Sequence, residues 1–262
     1  MDKTKLIELF ASFAKQYDFD DPIIALKFNH SLQTASYCME IASSLALSQQ
    51  EQLVAFAIGL LHEVGTFDSW KQTKTYPNIP LTIKLLFKDN LIEKYGIPKQ
   101  YYKAIEFAIA QHKNHEIEQE PIKKYSEKFK NSTQVYRETI LFCKILKDAN
   151  TIEFFGMLKR KVLPSISTSF SKTSLSQSVM KSFRAESKVD LPEVKSKLDQ
   201  IVFNLSLYYA LYFDYSFQFC KKISFSSAIL DFYKPELSQK EFVTLQKIVT
   251  AFEKKEKIKS LS

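Results

Sequence analysis

Residues 48–65 read SQQEQLVAFAIGLLHEVG, and the fold follows from how this stretch is read. Ser48 followed three residues later by Glu51 is the capping-box signature of a helix N-terminus. From Leu53 to Leu61 the residues behind that cap are apolar almost without interruption. A helix that is hydrophobic all round belongs in the middle of a bundle rather than on its surface. Gly65 offers a natural end, so the helix closes on the pair His62-Glu63.

Helices are expected on either side. Asp21-Pro22 sets an acidic cap before a proline at the first helical position, and Ile24, Phe28, Leu32, Ala35, Met39, Ala42 and Leu45 recur at three- and four-residue steps through 22–47. Further helices are expected at 4–17, 80–86, 98–112, 131–155, 191–220, 224–233 and 239–255, the last opened by a second capping box, Ser238 to Glu241. Only four glycines occur in 262 residues. No glycine-rich phosphate loop of the dinucleotide-binding or P-loop type is present, and a β-sandwich would lack its turn residues. The expectation is an all-α bundle forming a single domain, 1–262, with a motif core at about 22–156 and additional C-terminal helices over 190–256.

Two stretches stand apart. Residues 157–189 hold seven Lys or Arg against Glu186 alone, with nine serines and two threonines, and read as a solvated loop or as a phosphate-facing strip. Residues 201–219, IVFNLSLYYALYFDYSFQF, approach the length of a bilayer span, but Asn204, Asp214 and Gln218 interrupt them, so a buried helix is expected and no membrane partner. Twenty-two Phe and thirteen Tyr supply bulky packing and leave room for a self-association face, hence a homo-oligomer. The net charge of +8 favours acidic partners without choosing among them. Cys38, Cys143 and Cys220 are isolated, and the N-terminus has no signal-peptide pattern, which together point to the cytoplasm.

The four histidines do not scatter. His30 lies in the first long helix, His62 ends the apolar one beside Glu63, and His112 and His115 end another. A divalent cation needs several donors from different elements, since adjacent residues on one helix point about 100° apart. A mixed set of imidazole nitrogens and carboxylate oxygens suits Mn, Fe, Co, Ni or Zn better than Mg or Ca.

The order His30, His62-Glu63, His112, Asp148, in the stretches NHSLQTASYCMEIA, LLHEVGTFDSW, AIAQHKNH and ILKDANTIEFF, resembles the HD-domain phosphohydrolase superfamily. LLHEVGTFDSWKQTKTY and LYYALYFDYSFQF are similar to a bacterial branch with a "His-Asp-Ile-Gly-Arg-Phe" signature and a C-terminal aromatic helix. The resemblance implies an all-α metalloenzyme that hydrolyses a nucleotide or other small phosphoester by attack of a metal-bound water. It implies a metal held by His30, His62, Glu63 and Asp148, with His112 beside them, and catalytic roles for Glu63 and Asp148. Departures from the pattern are Glu63 for the signature aspartate, Thr66 for an arginine, no histidine near Leu81 or Thr82, and Asn150 for a second acid. A complete binuclear site is therefore not expected.

For the developing phosphoryl charge, Lys71, Lys74, Lys144 and Lys147 are the lysines near the motifs in sequence, and Trp70 would stack on a base or serve in packing. Two rival readings remain: an HD scaffold that binds a nucleotide or a protein without turnover, and a nucleic-acid-binding helical protein. Cys38 and Cys143 sit near the motifs but at apolar helical positions, where inert thiols are the rule.

Overall fold

Residues 2–75, 79–114, 117, 132–163 and 170–259 are described by a computed structural model, and every regular element among them is helical. The chain divides into two compact units, residues 1–153 and 154–262.

In the first unit, α1 (Lys3–Ala14), α2 (Pro22–Ser44), α3 (Gln49–Leu61), α4 (Val64–Thr73), α5 (Ile79–Ile83), α6 (Leu91–Lys94) and α7 (Tyr102–Gln111) are followed by the long helix α8 (Ser132–Arg160), within which the division falls. The helix starts carry the side chains that the sequence promised. Asp2 accepts from the Thr4 and Lys5 amides, Asp21 from Ile23 ahead of Pro22, and Ser48 and Glu51 cap each other's backbone. Such caps contribute about 1 kcal/mol each by satisfying amides that have no partner within the helix.

Helix α3 is the centre. All residues from Leu53 to Leu61 are buried, Phe56, Leu60 and Leu61 almost completely, and each large apolar side chain removed from water stabilises by about 1.5–3 kcal/mol. Its main neighbour is α2, and Gly59 allows the contact. A Cβ at that position would stand 2.6 Å from the Ala35 Cα, 2.8 Å from its amide nitrogen and 2.9 Å from the Thr34 carbonyl oxygen. Backbone touches backbone there, so the helices bearing His30 and His62 approach as closely as sterics permit.

Gly65 does not simply end the apolar helix. A new helix, α4, begins at Val64, its turn tied by the Gly65 amide donating to the Thr82 hydroxyl at 3.0 Å. Trp70 on α4 donates its indole N–H to Asp21 at 2.9 Å, fastening α4 to the start of α2. It therefore has the packing role.

The second unit holds α9 (Gln177–Arg184), α10 (Lys197–Ser206), α11 (Asp214–Ile223), α12 (Phe225–Tyr233) and α13 (Gln239–Lys259). The continuous helix expected over 191–220 is broken. After α10 come a 3-10 turn at Leu207–Ala210 and extended backbone at Leu211 and Phe213 before α11 starts. The break turns Tyr208 into a hub: its ring stacks on Phe225 at 5.1 Å and meets Phe217 and Phe252 edge-on at 5.1 and 5.3 Å. No helix among the described residues is long and apolar enough to cross a membrane. The serine-rich segment is not all loop, for α9 buries Val179 and Phe183.

Candidate metal centre

His30 projects from the middle of α2, while His62 and His112 occupy equivalent places at the C-caps of α3 and α7. The two helix ends are built alike. Each cap residue has φ −62° with ψ −21° or −22°, and each imidazole Nδ1–H donates to the carbonyl three residues back, His62 to Gly59 at 2.6 Å and His112 to Ile109 at 2.8 Å. A helix end leaves its last carbonyls without intrahelical partners, so an imidazole folded back on one gains a hydrogen bond and has its tautomer fixed. In both rings the lone pair is then on Nε2, pointing away from the helix.

The His62 Nε2 meets two other donor groups. His30 Nε2 lies 3.3 Å from His62 Nε2 and 3.8 Å from Glu63 Oε2, and ligand atoms of His30, His62 and Glu63 all fall within 4.8 Å of one another. His112 stands edge-on to His62, ring centroids 5.3 Å apart. Burial pushes all three imidazoles down, His30 to about 4 and His62 and His112 to about 3, so they are neutral near pH 7.

Do these residues fit a metal ion? Two nitrogens each about 2.0–2.1 Å from one tetrahedral ion stand about 3.3–3.4 Å apart, which is the His30 to His62 spacing. The Nε2 of His112 is buried without any hydrogen-bond partner, an acceptor that would cost about 1–3 kcal/mol if nothing ever satisfied it. A donor set of two or three imidazoles and a carboxylate is a transition-metal set. The residues fit.

Glu63 is more crowded than its sequence position suggested. Its side chain is 4% exposed, and both oxygens are taken by ammonium groups: Lys113 donates to Oε1 at 2.6 Å and Lys27 to Oε2 at 2.7 Å. Burial alone would raise this carboxyl, but the two lysines outweigh it and hold it well below the usual carboxylate range. Burial lowers Lys113 against the pull of Glu63.

The lysines singled out from sequence have other attachments. Lys74 pairs with Asp21 at 2.7 Å, Lys71 lies over the Tyr17 ring, and Lys147 donates to the Asn114 carbonyl. Lys27 and Lys113 were the missed cations: Lys27 precedes His30 by three residues on one helix face and Lys113 follows His112 directly, but that proximity alone does not single them out from the other lysines near the motifs. Asp148 is fully buried on α8 but is not one of the residues whose ligand atoms converge. His115 lies outside the described residues.

Where the branch's arginine would stand, the Thr66 hydroxyl is buried without a partner, and the Thr82 hydroxyl serves the Gly65 amide. Burial raises the Cys38 thiol strongly and pushes Cys143 up to about 12, which leaves neither as a nucleophile.

The HD domain family model matches residues 28–154. This part of the chain belongs to the HD-domain superfamily. The matched span ends one residue beyond the first compact unit and contains His30, His62, Glu63, His112 and Asp148. HD domains bind divalent metals and define a family of metal-dependent phosphohydrolases, and here His30, His62 and Glu63 form a set that can hold such an ion. No curated protein and no solved structure gives a significant match.

Proposed function

We propose that this HD domain is a metal-dependent phosphohydrolase acting on a nucleotide or other small phosphoester. The observation that carries the reading is the convergence of His30, His62 and Glu63 beside the unpartnered Nε2 of His112. His30, His62 and Glu63 would hold the ion, with Asp148 as a further ligand and His112 adjoining. A divalent cation there supplies Lewis-acid polarisation of a phosphoryl oxygen and lowers the pKa of a water. The helix-end hydrogen bonds to Gly59 and Ile109 keep two imidazoles in the tautomer that offers Nε2. Burial of the whole set excludes bulk water and strengthens each charge interaction within it. Three buried cysteines outside any disulfide accord with a reducing, cytoplasmic setting.

A second reading is favoured by one observation: with both oxygens of Glu63 on lysines, the domain would bind a phosphorylated ligand without turning it over.

Elemental analysis of protein purified without added metal, followed by phosphatase and phosphodiesterase assays with Mn, Co, Ni or Mg, separates the two. About one equivalent of transition metal with metal-dependent turnover establishes the hydrolase. No metal and no turnover under any condition leaves the binding domain. His62→Ala and Asp148→Ala should each strip the metal while the helical circular-dichroism signal stays; full retention in both would sink the site assignment.

A further inference from the structure

We propose that Lys27 and Lys113 form a two-ammonium clamp for the phosphoryl group of the ligand, and that Glu63 is the counter-ion they hold in its absence. The inference rests on the HD site being a phosphoester site, and it adds which residues of this chain receive the anion.

The arrangement is unusual in its charge count. One carboxylate faces two ammonium groups, at 2.6 and 2.7 Å, so Glu63 alone holds two cations. The lysines come from separate places, α2 and the turn after α7, and reach the same carboxylate from opposite oxygens. They also stand on its accessible side: their side chains are 18% and 30% exposed, against 4% for Glu63 and 5% or less for the three histidines. An anion arriving from solvent meets the ammonium groups first.

The carboxylate itself shows what the clamp accepts. Two oxygens on one centre, each receiving a charge-assisted hydrogen bond from a different lysine, present the same kind of edge as two non-bridging oxygens of a phosphate. Lysine binds phosphate as a mobile point charge on a flexible stem, so the ammonium groups can swing from one anion to the other without backbone motion. Glu63 cannot serve two lysines and also ligate an ion with the same lone pairs. A divalent cation on Glu63 would repel the neighbouring ammonium groups toward the ligand, and the long Glu side chain, with one methylene more than aspartate, reaches both partners. Lys71, Lys74 and Lys147 are attached away from Glu63.

The test is calorimetric titration of metal-stripped protein with inorganic phosphate, on wild type and on the Lys27→Gln, Lys113→Gln and Glu63→Gln variants. Each lysine variant should bind about tenfold more weakly, the loss of one charge-assisted hydrogen bond, and Lys113→Arg should recover much of it. Glu63→Gln should bind more tightly than wild type, because the competing counter-ion is gone. Lysine variants that match wild type overturn the clamp, as does a Glu63→Gln protein that binds no better. Should a lysine variant fail to fold, the Glu63→Gln arm decides alone. Metal content, measured on the same samples, keeps the two ideas apart. Lysine-dependent phosphate binding by a protein that never takes metal retires the hydrolase and keeps the clamp. A metal-loaded, active protein whose lysine variants keep full phosphate affinity retires the clamp and keeps the hydrolase.

Discussion

Glu63 in the first compact unit and Asp199 in the second are both buried carboxylates, and they are compensated by different means. Glu63 is compensated by charge, with Lys27 and Lys113 on its two oxygens. Asp199, also inaccessible, is compensated by neutral donors: the Ser176 amide and hydroxyl at 2.7 Å each and the Lys195 amide at 3.0 Å. Backbone amides are fixed in place, so Asp199 is a permanent knot that ties the start of α9 to α10. Lysine ammonium groups sit on flexible stems and can leave. The difference separates a carboxylate used for structure from one left available for chemistry, although both are held below their ordinary range.

The comparison breaks most visibly when a partner is removed without its charge. Replacing both Lys27 and Lys113 with Met strands a buried anion and should cost on the order of 3–5 kcal/mol in urea unfolding. Adding Glu63→Leu to that double variant should recover most of the loss. A double variant as stable as wild type would mean that the lysines do not compensate Glu63. Asp199→Ala, which leaves three donors without their acceptor, should cost about 1–3 kcal/mol and speed hydrogen exchange over Gln177–Arg184.

Acid should sharpen the contrast further. Burial would raise Asp199, but the donors from Ser176, Lys195 and Ser196 lower it below 3.8. A depressed folded-state value contributes stability above the unfolded value and loses it as pH falls through the folded one. The stability gap between wild type and Asp199→Asn should thus be widest near neutrality and close below about pH 4, as followed by thermal melts across pH. The smallest effect belongs to an exposed pair. Lys74, 62% exposed on Asp21, should cost under about 1 kcal/mol as Lys74→Ala, since water screens it.

How much of this was legible beforehand divides along the same physical line. Helix starts are local chemistry, so Asp21-Pro22, Ser48 with Glu51 and Ser238 with Glu241 could be read directly and recur as caps. The meeting of His30, His62 and Glu63 was also readable, because the order of the motifs carries it. Lys27 and Lys113 were not, because a lysine is an exposed residue by default and only folding brings two of them onto one buried acid. The break after Ser206 escaped for a related reason. Apolar content says that IVFNLSLYYALYF is buried, but not whether one helix or several bury it, and the outcome is set by where the Tyr208 ring finds Phe225 and Phe252. Val64–Thr73 was missed because glycine at 65 reads as a stop, whereas here the chain turns and starts a new helix at once.

Gly59 has no side chain to contribute and yet occupies two positions in the design: it admits Ala35 of α2 to backbone contact, and its carbonyl holds the His62 ring. Its replacement by alanine would gain about 1 kcal/mol of helix propensity and lose more to a steric conflict that no rotamer can relieve. Selecting random variants for lost metal uptake should accordingly return position 59 together with the ligands themselves. The tolerance of the site to sequence drift is governed in part by a residue that titrates nothing, ligates nothing and never meets the ligand.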